Sequence, residues 1–89
     1  MHDSIKNKAL KLGASEIGNS NMKNKRLYVI YKNKIIHFGS KNGQTYYDHK
    51  DKNKRNAWIA RHSKIKNKHG EYVIYDKMSP SFWSAKILW

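Results

Sequence analysis

Cysteine is absent from this chain of 89 residues, and proline occurs once. Without cysteine the chain can form neither a disulfide nor a thiolate metal site, which fits a reducing compartment. No stretch approaches the roughly 20 apolar residues that span a bilayer, and residues 1–6 lack the apolar run of a signal peptide. These absences predict a protein that is neither secreted nor bound to a membrane.

Negative charge is also scarce, because 6 acidic residues face 19 lysines and arginines and leave a net charge of +13. Such an excess predicts a polyanionic partner, with the phosphate backbone of DNA or RNA as the first candidate and an acidic protein surface or anionic membrane after it. Genome composition offers another explanation, since the 16 lysines, nine asparagines and nine isoleucines all use A- and T-rich codons. Such codon usage does not disfavour Asp or Glu, so the shortage of acids favours a functional origin.

Aromatic residues compensate for a hydrophobic fraction of only 38%. Six Tyr, three Trp and two Phe make disorder improbable, because each buried ring removes a large apolar area from water. The length predicts one domain over residues 1–89, near the lower limit for a self-sufficient core. Within it we expect an N-terminal helix and loop arm over 1–25 and an α+β core over 26–89.

The first half of the chain carries clear local signals. Apolar residues at helical spacing predict a helix within 1–12 that stops at Gly13. The small and polar residues 14–25 predict a loop. Apolar runs at 27–31 and 34–38 then flank a two-residue turn, which predicts a β-hairpin.

The region after the hairpin predicts a turn at 39–43 and a short third strand at 44–47. Asp48 or Asp51 can cap a helix that runs to about residue 66, with Trp58 on its inner face as the anchor against the sheet.

The last nineteen residues complete the pattern. A strand is predicted at 71–75, and Ser79 followed by Pro80 is typical of a helix N-terminus. Large apolar residues then crowd the C-terminus and must dock on this domain or on a partner: Phe82, Trp83, Ile87, Leu88 and Trp89. For a partner, Phe82, Trp83 and Trp89 are the candidate docking residues.

Together these elements predict an α+β fold: a small antiparallel sheet built on a β-hairpin, packed by one basic helix, with a docked aromatic C-terminal segment. Basic residues on that helix and its flanks are the candidate contacts to phosphate: Lys50, Lys52, Lys54, Arg55, Arg61, Lys64, Lys66 and Lys68. The segment before the hairpin extends this surface through Lys23, Lys25 and Arg26. Lysine is a flexible point charge, so we expect little base selectivity. A merely solvated charged face is the alternative.

Other side chains leave open alternatives. Tyr46 and Tyr47 either stack on unpaired bases or pack in the core. His37, His49 and His62, with Asp48 and Asp51, are candidates for a metal site, although their spacing matches no known ligand pattern.

The structural alternative is that His37 packs at a strand end, an aspartate caps the helix and His62 donates to the backbone. The glycine turn at 39–43 lacks the ending of a phosphate-binding P-loop. No cysteine nucleophile exists, and no serine lies in a strand–turn–helix elbow. We therefore predict neither a cofactor nor enzymatic activity.

Five segments together carry a family resemblance: Tyr28-Val29-Ile30-Tyr31, Lys34-Ile35-Ile36-His37-Phe38-Gly39, His49-Lys50-Asp51, Arg61-His62-Ser63, and Ser79-Pro80 with Phe82-Trp83-Ser84 and Ile87-Leu88-Trp89. They resemble a family of short basic proteins of large nucleocytoplasmic DNA viruses, including relatives of the mimiviruses and phycodnaviruses. The resemblance implies an AT-rich viral genome and a location in the virion, the host-cell cytoplasm or the viral factory. It also implies DNA and capsid proteins as neighbours.

These observations predict a non-enzymatic viral protein that binds nucleic acid without sequence specificity and is packaged in the virion. A minor capsid or internal scaffold protein that mediates protein–protein contacts is the alternative. A metal-dependent nuclease, which needs His37, His49 or His62 to bind a divalent ion, comes third.

Overall fold

The computed structural model describes residues 3–41 and 45–89. The elements follow in the order α1 Asp3–Lys11, β1 Glu16–Asn19, β2 Lys25–Tyr31, β3 Lys34–Ser40, α2 Tyr46–His49, α3 Lys52–His62, a 3₁₀ turn Val73–Tyr75, α4 Pro80–Trp83 and a π-helical segment Ser84–Leu88. The predicted α+β class, with a small antiparallel sheet, is confirmed.

The sheet is an antiparallel meander in the order β1-β2-β3. Because side chains alternate along a strand, Leu27 and Val29 of β2 and Phe38 of β3 share the buried face. Lys32 and Asn33 join the two strands with φ angles of 49° and 64°, as a type I′ turn requires. The predicted hairpin and its turn are therefore confirmed.

The predicted loop at 14–25 contains a strand instead, since residues 16–19 form β1 and pair with β2. Gly18 weakens the strand signal in the sequence, yet the structure needs glycine there. A Cβ atom at Gly18 would come within 2.7 Å of the Tyr28 ring, so that ring can lie over β1 as it does only where no side chain stands.

Helix α1 and the residues just after it contribute to the core. Helix α1 is confirmed within the predicted range, and Gly13 follows it at a φ of +106°. Ile5, Ala9 and Ala14 are buried in the same cluster as the sheet residues. The predicted boundary at residue 25 thus crosses one continuous core.

Beyond β3 the prediction of a short strand is wrong, because Tyr46 and Tyr47 open the helical turn α2. A capping box starts it: the carboxylate of Asp48 accepts hydrogen bonds from the backbone N–H and the hydroxyl of Thr45. Gly39 and Ser40 belong to β3 and not to the predicted turn. The rest of that turn, at 42–43, and the start of the predicted strand at 44 lie outside the described residues.

Asp51 caps α3, as predicted, by accepting from the backbone N–H groups of Asn53 and Lys54 at 2.9 and 3.3 Å. The helix ends at His62, four residues before the predicted end. Trp58 is its buried residue.

The expected contact between Trp58 and the sheet is replaced by a stack of rings. The Trp58 ring lies parallel to Trp89, with 5.0 Å between centroids, and stacks on His62 at 3.9 Å. The C-terminal Trp89 therefore packs on the inner face of α3.

After a single bridge between Lys66 and Tyr72, Val73–Tyr75 form a 3₁₀ turn, so the predicted strand at 71–75 is wrong. Strand composition alone does not make a strand, because each strand needs a neighbour along its length. Here Ile74 is buried while Tyr72 and Tyr75 are exposed.

The C-terminal segment docks on this domain. Pro80 stands at the first position of α4, and the Ser79 hydroxyl accepts from the Ser81 N–H, as predicted. The buried side chains of this segment are Phe82, Trp83, Ile87 and Leu88. Within 3–41 and 45–89, none of the helices has the length and apolar character that crossing a bilayer demands.

Candidate nucleic-acid interface

A cleft of about 540 Å³ lies where α1, the α2–α3 region, the 3₁₀ turn and the π-helical segment meet. Four cationic side chains line it: Lys8, Lys50, Arg55 and Lys86. No aspartate or glutamate side chain is among its described lining residues. The charged side chains among its described lining residues are therefore all cationic, which favours an attractive potential for an anion.

The α2–α3 junction fixes the position of Lys50. Its backbone has a left-handed φ of 58°, and its N–H donates to the carbonyl oxygen of Tyr46 at 2.9 Å. The Lys50 ammonium nitrogen lies 4.9 Å from the ring centroid of Tyr47 and 5.7 Å from that of Tyr46. The two tyrosines thus hold this cation by cation–π contacts. Tyr47 also packs against the hydrophobic core, which was one of the two predicted roles.

Arg55 is held from two sides. Its Nε donates to the main-chain oxygen of Trp89 at 2.7 Å, and its guanidinium carbon lies 5.4 Å from the Tyr46 ring centroid. Within residues 3–41 and 45–89 its two terminal nitrogens have no protein acceptor. A guanidinium oriented in this way presents two donors that match the geometry of a phosphate group.

Arg26, predicted as a phosphate contact, is paired within the protein. Its terminal nitrogens donate to the two Asp48 carboxylate oxygens at 2.6 and 2.9 Å. This pairing, helped by the hydrogen bonds from Thr45, holds the pKa of Asp48 well below its usual range and raises the pKa of Arg26. The pair neutralises Arg26 and ties α2 to β2, so Arg26 supports the cleft without contributing a free charge.

The last wall of the cleft comes from the chain beyond α3. The π-helical segment, closed by a hydrogen bond from the Trp89 N–H to the Ser84 carbonyl at 3.0 Å, carries Lys86. Tyr75 of the 3₁₀ turn lines the cleft with 74% of its surface exposed. Segments of π-helix are rare and occur frequently at functional sites.

A second cleft of about 620 Å³ lies on the other side of Trp89, which lines both. It brings together Lys25 and Arg61, two of the predicted phosphate contacts, with Trp58 and His62. Lys50 and Arg55 were likewise predicted and lie in the first cleft. Each cleft therefore contains two of the predicted cations.

The other predicted cations line neither cleft and are exposed: Lys23, Lys52, Lys54, Lys64, Lys66 and Lys68. Only part of the set lies on a helix, because α3 ends at His62. The first turn of α3 has no acidic residue after its cap. Lys52 and Lys54 thus lie near the positive end of the helix dipole, an unfavourable position for stability.

Three cleft residues were missed at the level of sequence: Lys8, Tyr75 and Lys86. Nothing in the spacing of the chain links them to Lys50 or Arg55, because the fold brings together segments twenty or more residues apart. Tyr75 falls within residues 71–75, for which the sequence predicts a strand. The π-helical segment that carries Lys86 has no recognised sequence signature.

The predicted docking residues are placed differently. Phe82 and Trp83 have relative exposures of 5% and 0%, so they form the core of this chain and offer no surface to a partner. Trp89 is half-buried, between the two clefts.

The histidines have structural partners. His62 Nδ1 donates to the carbonyl oxygen of Trp58 at 2.9 Å, as the structural alternative predicted, and His37 Nδ1 bonds to the Ser20 hydroxyl at 2.7 Å. His49 Nδ1 accepts from the Asp51 N–H. Across 3–41 and 45–89 no three His, Asp or Glu side chains form a group that could hold a metal ion.

Fold and site define a small, strongly basic α+β protein with a cationic, aromatic-lined cleft. The chain belongs to a family of unknown function, DUF5754, whose sequence model matches residues 15–62. That match runs from β1 through α3 and includes Tyr46, Lys50 and Arg55. No curated protein and no solved structure matches the chain. The family description names no activity, so the resemblance to viral proteins stays a prediction.

Proposed function

We propose that this protein binds nucleic acid without sequence specificity and without catalysis, through the cleft that contains Lys8, Lys50, Arg55 and Lys86. The observation that carries the proposal is the convergence of these four cations on one concavity that no Asp or Glu side chain lines within the described residues. Codon usage selects no three-dimensional position, so the proposal rests on where these cations lie and not on how many there are.

The cations are also arranged for phosphate. Lys50 and Arg55 are held on tyrosine rings, so less side-chain freedom is lost when they bind. Contacts of this kind recognise the phosphate backbone of a nucleic acid and carry little information about its base sequence. The exposed lysines around α3 add an electrostatic field that attracts the chain to a polyanion.

The protein-scaffold alternative receives less support, since two of its three predicted docking residues, Phe82 and Trp83, are buried in the core. The nuclease alternative has no observation in its favour. Packaging in a virion, and a location in the host-cell cytoplasm or the viral factory, follow from the resemblance alone and stay part of the proposal.

The salt dependence of binding tests the proposal. We expect labelled DNA to bind at about 50 mM salt and to be released steeply towards about 200 mM, because counterions are freed from each neutralised phosphate. Lys8→Ala should lower the slope of log K against log salt by about 0.7 to 0.9. Fluorescence anisotropy measures both.

Lys6→Ala is the matched control, since Lys6 lies on the same helix, is exposed and does not line the cleft. Both variants remove one positive charge. If the two variants lower the slope equally, the net charge and not the cleft determines binding, and the proposed site is wrong. If the unmodified protein does not retard DNA at low salt, the proposed function itself fails.

A further inference from the structure

Tyr75 differs from the other aromatic side chains that line the cleft. Tyr75 is 74% exposed, and within the described residues no aromatic ring or cationic group contacts its ring. A tyrosine ring that stays exposed to water does not gain the free energy that burial of its apolar surface would provide. Tyr75 therefore contributes little to the fold and keeps an aromatic face available at the rim of the cleft.

The other two tyrosines of the cleft differ from Tyr75. Lys50 lies over both of their rings, and Arg55 lies over Tyr46. The Arg26 guanidinium carbon is also 5.9 Å from the Tyr47 ring centroid. The rings of Tyr46 and Tyr47 thus hold cations, and Tyr75 is the tyrosine that can accept a stacking ligand.

We propose that the cleft is a single-strand site, in which an unpaired base stacks on Tyr75 while the neighbouring phosphates contact Lys8, Lys50, Arg55 and Lys86. This inference rests on the proposed function and specifies its ligand. A base inside a duplex is stacked on both faces, so neither face is free to stack on Tyr75. The base must first be unpaired and unstacked, at a cost of a few kcal/mol. An unpaired base has a free face.

The size of the cleft agrees with this ligand. A volume of about 540 Å³ falls in the range of sites that bind one small molecule, which is enough for a single unpaired base. Stacking on an aromatic side chain tolerates every base, so the site remains without sequence preference. Phosphate contacts and one aromatic platform together are the usual composition of single-strand sites.

The test compares Tyr75→Ala with the unmodified protein on three labelled probes: an oligothymidylate, an oligouridylate of the same length and a duplex of the same length. At a length of about 12 nucleotides we expect Tyr75→Ala to weaken single-strand binding about fivefold to 150-fold. Binding to the duplex should change less than about twofold, because phosphate contacts do not involve the ring. Tyr75→Phe, which keeps the ring, should retain single-strand affinity.

Tyr72→Ala is the control, because Tyr72 is also exposed, lies three residues away and does not line the cleft. It should leave the affinity for all three probes unchanged. The oligothymidylate and oligouridylate arms show whether the ligand is DNA, RNA or both.

Two results would overturn the inference while the proposed function stands. In the first, the unmodified protein binds the duplex as tightly as the single strands. In the second, Tyr75→Ala lowers the affinity for single strands and for the duplex by the same factor. Unchanged single-strand affinity in Tyr75→Ala would overturn it as well. If no probe binds, the proposed function and the inference fail together.

Discussion

A single carboxylate, that of Asp48, connects the cleft to the sheet. It receives both terminal nitrogens of Arg26 and the backbone N–H and hydroxyl of Thr45. Its side chain is 30% exposed, so solvent screens the pair and reduces what it contributes to stability. The ion pair explains why Arg26, counted in sequence as a phosphate contact, acts on the cleft indirectly.

We expect Asp48→Asn to lower the free energy of unfolding at neutral pH by about 1 kcal/mol, since Arg26 loses a charged partner. The pKa of Asp48 in the folded protein lies below its usual value of 3.8. Its contribution is therefore present above that pH and is lost as the pH falls below it. Urea unfolding from about pH 6 to about pH 2 should show that the gap between variant and unmodified protein closes in acid.

Glu71→Gln removes the same charge at an exposed position and serves as the control. It should leave the stability at neutral pH close to that of the unmodified protein. If Asp48→Asn is as stable as this control at neutral pH, the Arg26 pair is not a structural bond.

The β2–β3 hairpin is an element that the sequence specifies well but not optimally. Its turn places Lys32 and Asn33 in the left-handed region, where a lysine is strained because of its Cβ atom. Type I′ turns prefer Asn followed by Gly at these two positions.

Replacing Lys32-Asn33 by Asn-Gly should stabilise the protein by about 1 kcal/mol, because it removes strain from both turn positions. The midpoint of thermal unfolding measures the gain. Lys34→Asn is the control, since the same change at the first residue of β3 puts a poor strand former into ordinary strand backbone. A gain from both changes would show that loss of positive charge, and not relief of the turn, is responsible.

At the scale of the whole molecule, both ends of the chain complete one core. Ile5 and Ala9 of α1 share a buried cluster with Phe38 of the sheet and with Ile87 and Leu88 near the C-terminus. Unfolding of any one segment exposes the others, so the described residues should unfold as a single cooperative unit.

Leu88→Ala should lower the free energy of unfolding by about 2 to 5 kcal/mol, because Leu88 is 1% exposed and its loss leaves a cavity against the sheet. Chemical denaturation followed by circular dichroism and by fluorescence should give coincident, shifted curves. Leu10→Ala, at a leucine that is 44% exposed, should cost far less. Separate transitions for the two signals would contradict the single core.

Much of the local structure could be predicted, because each signal lies within a few neighbouring residues. The helix that stops before Gly13, the Asp51 cap and the Pro80 start all depend on backbone geometry that one or two residues dictate. The hairpin turn at 32–33 is of the same kind. The fold class followed from these elements.

The predictions were wrong for elements whose structure depends on contacts between residues distant in sequence. Strand β1 forms because β2 offers an unpaired edge for it to bond to. At Gly18 the absence of a side chain leaves room for the Tyr28 ring. Residues 71–75 have the composition of a strand, but their pairing is limited to an isolated bridge between Tyr72 and Lys66. Val73–Tyr75 therefore form a 3₁₀ turn.

The sequence by itself determined the charge of the protein, the positions of its turns and caps, and the class of its fold, since composition and short-range backbone preferences suffice for these. Only the tertiary structure decided which cations act together. Lys8 and Lys86 meet Arg55 because the first helix and the last segment pack onto one sheet. Burial of Phe82 and Trp83, and exposure of Tyr75, were settled by that same packing. Side chains distant in sequence acquire a common site only when the core that holds them has formed.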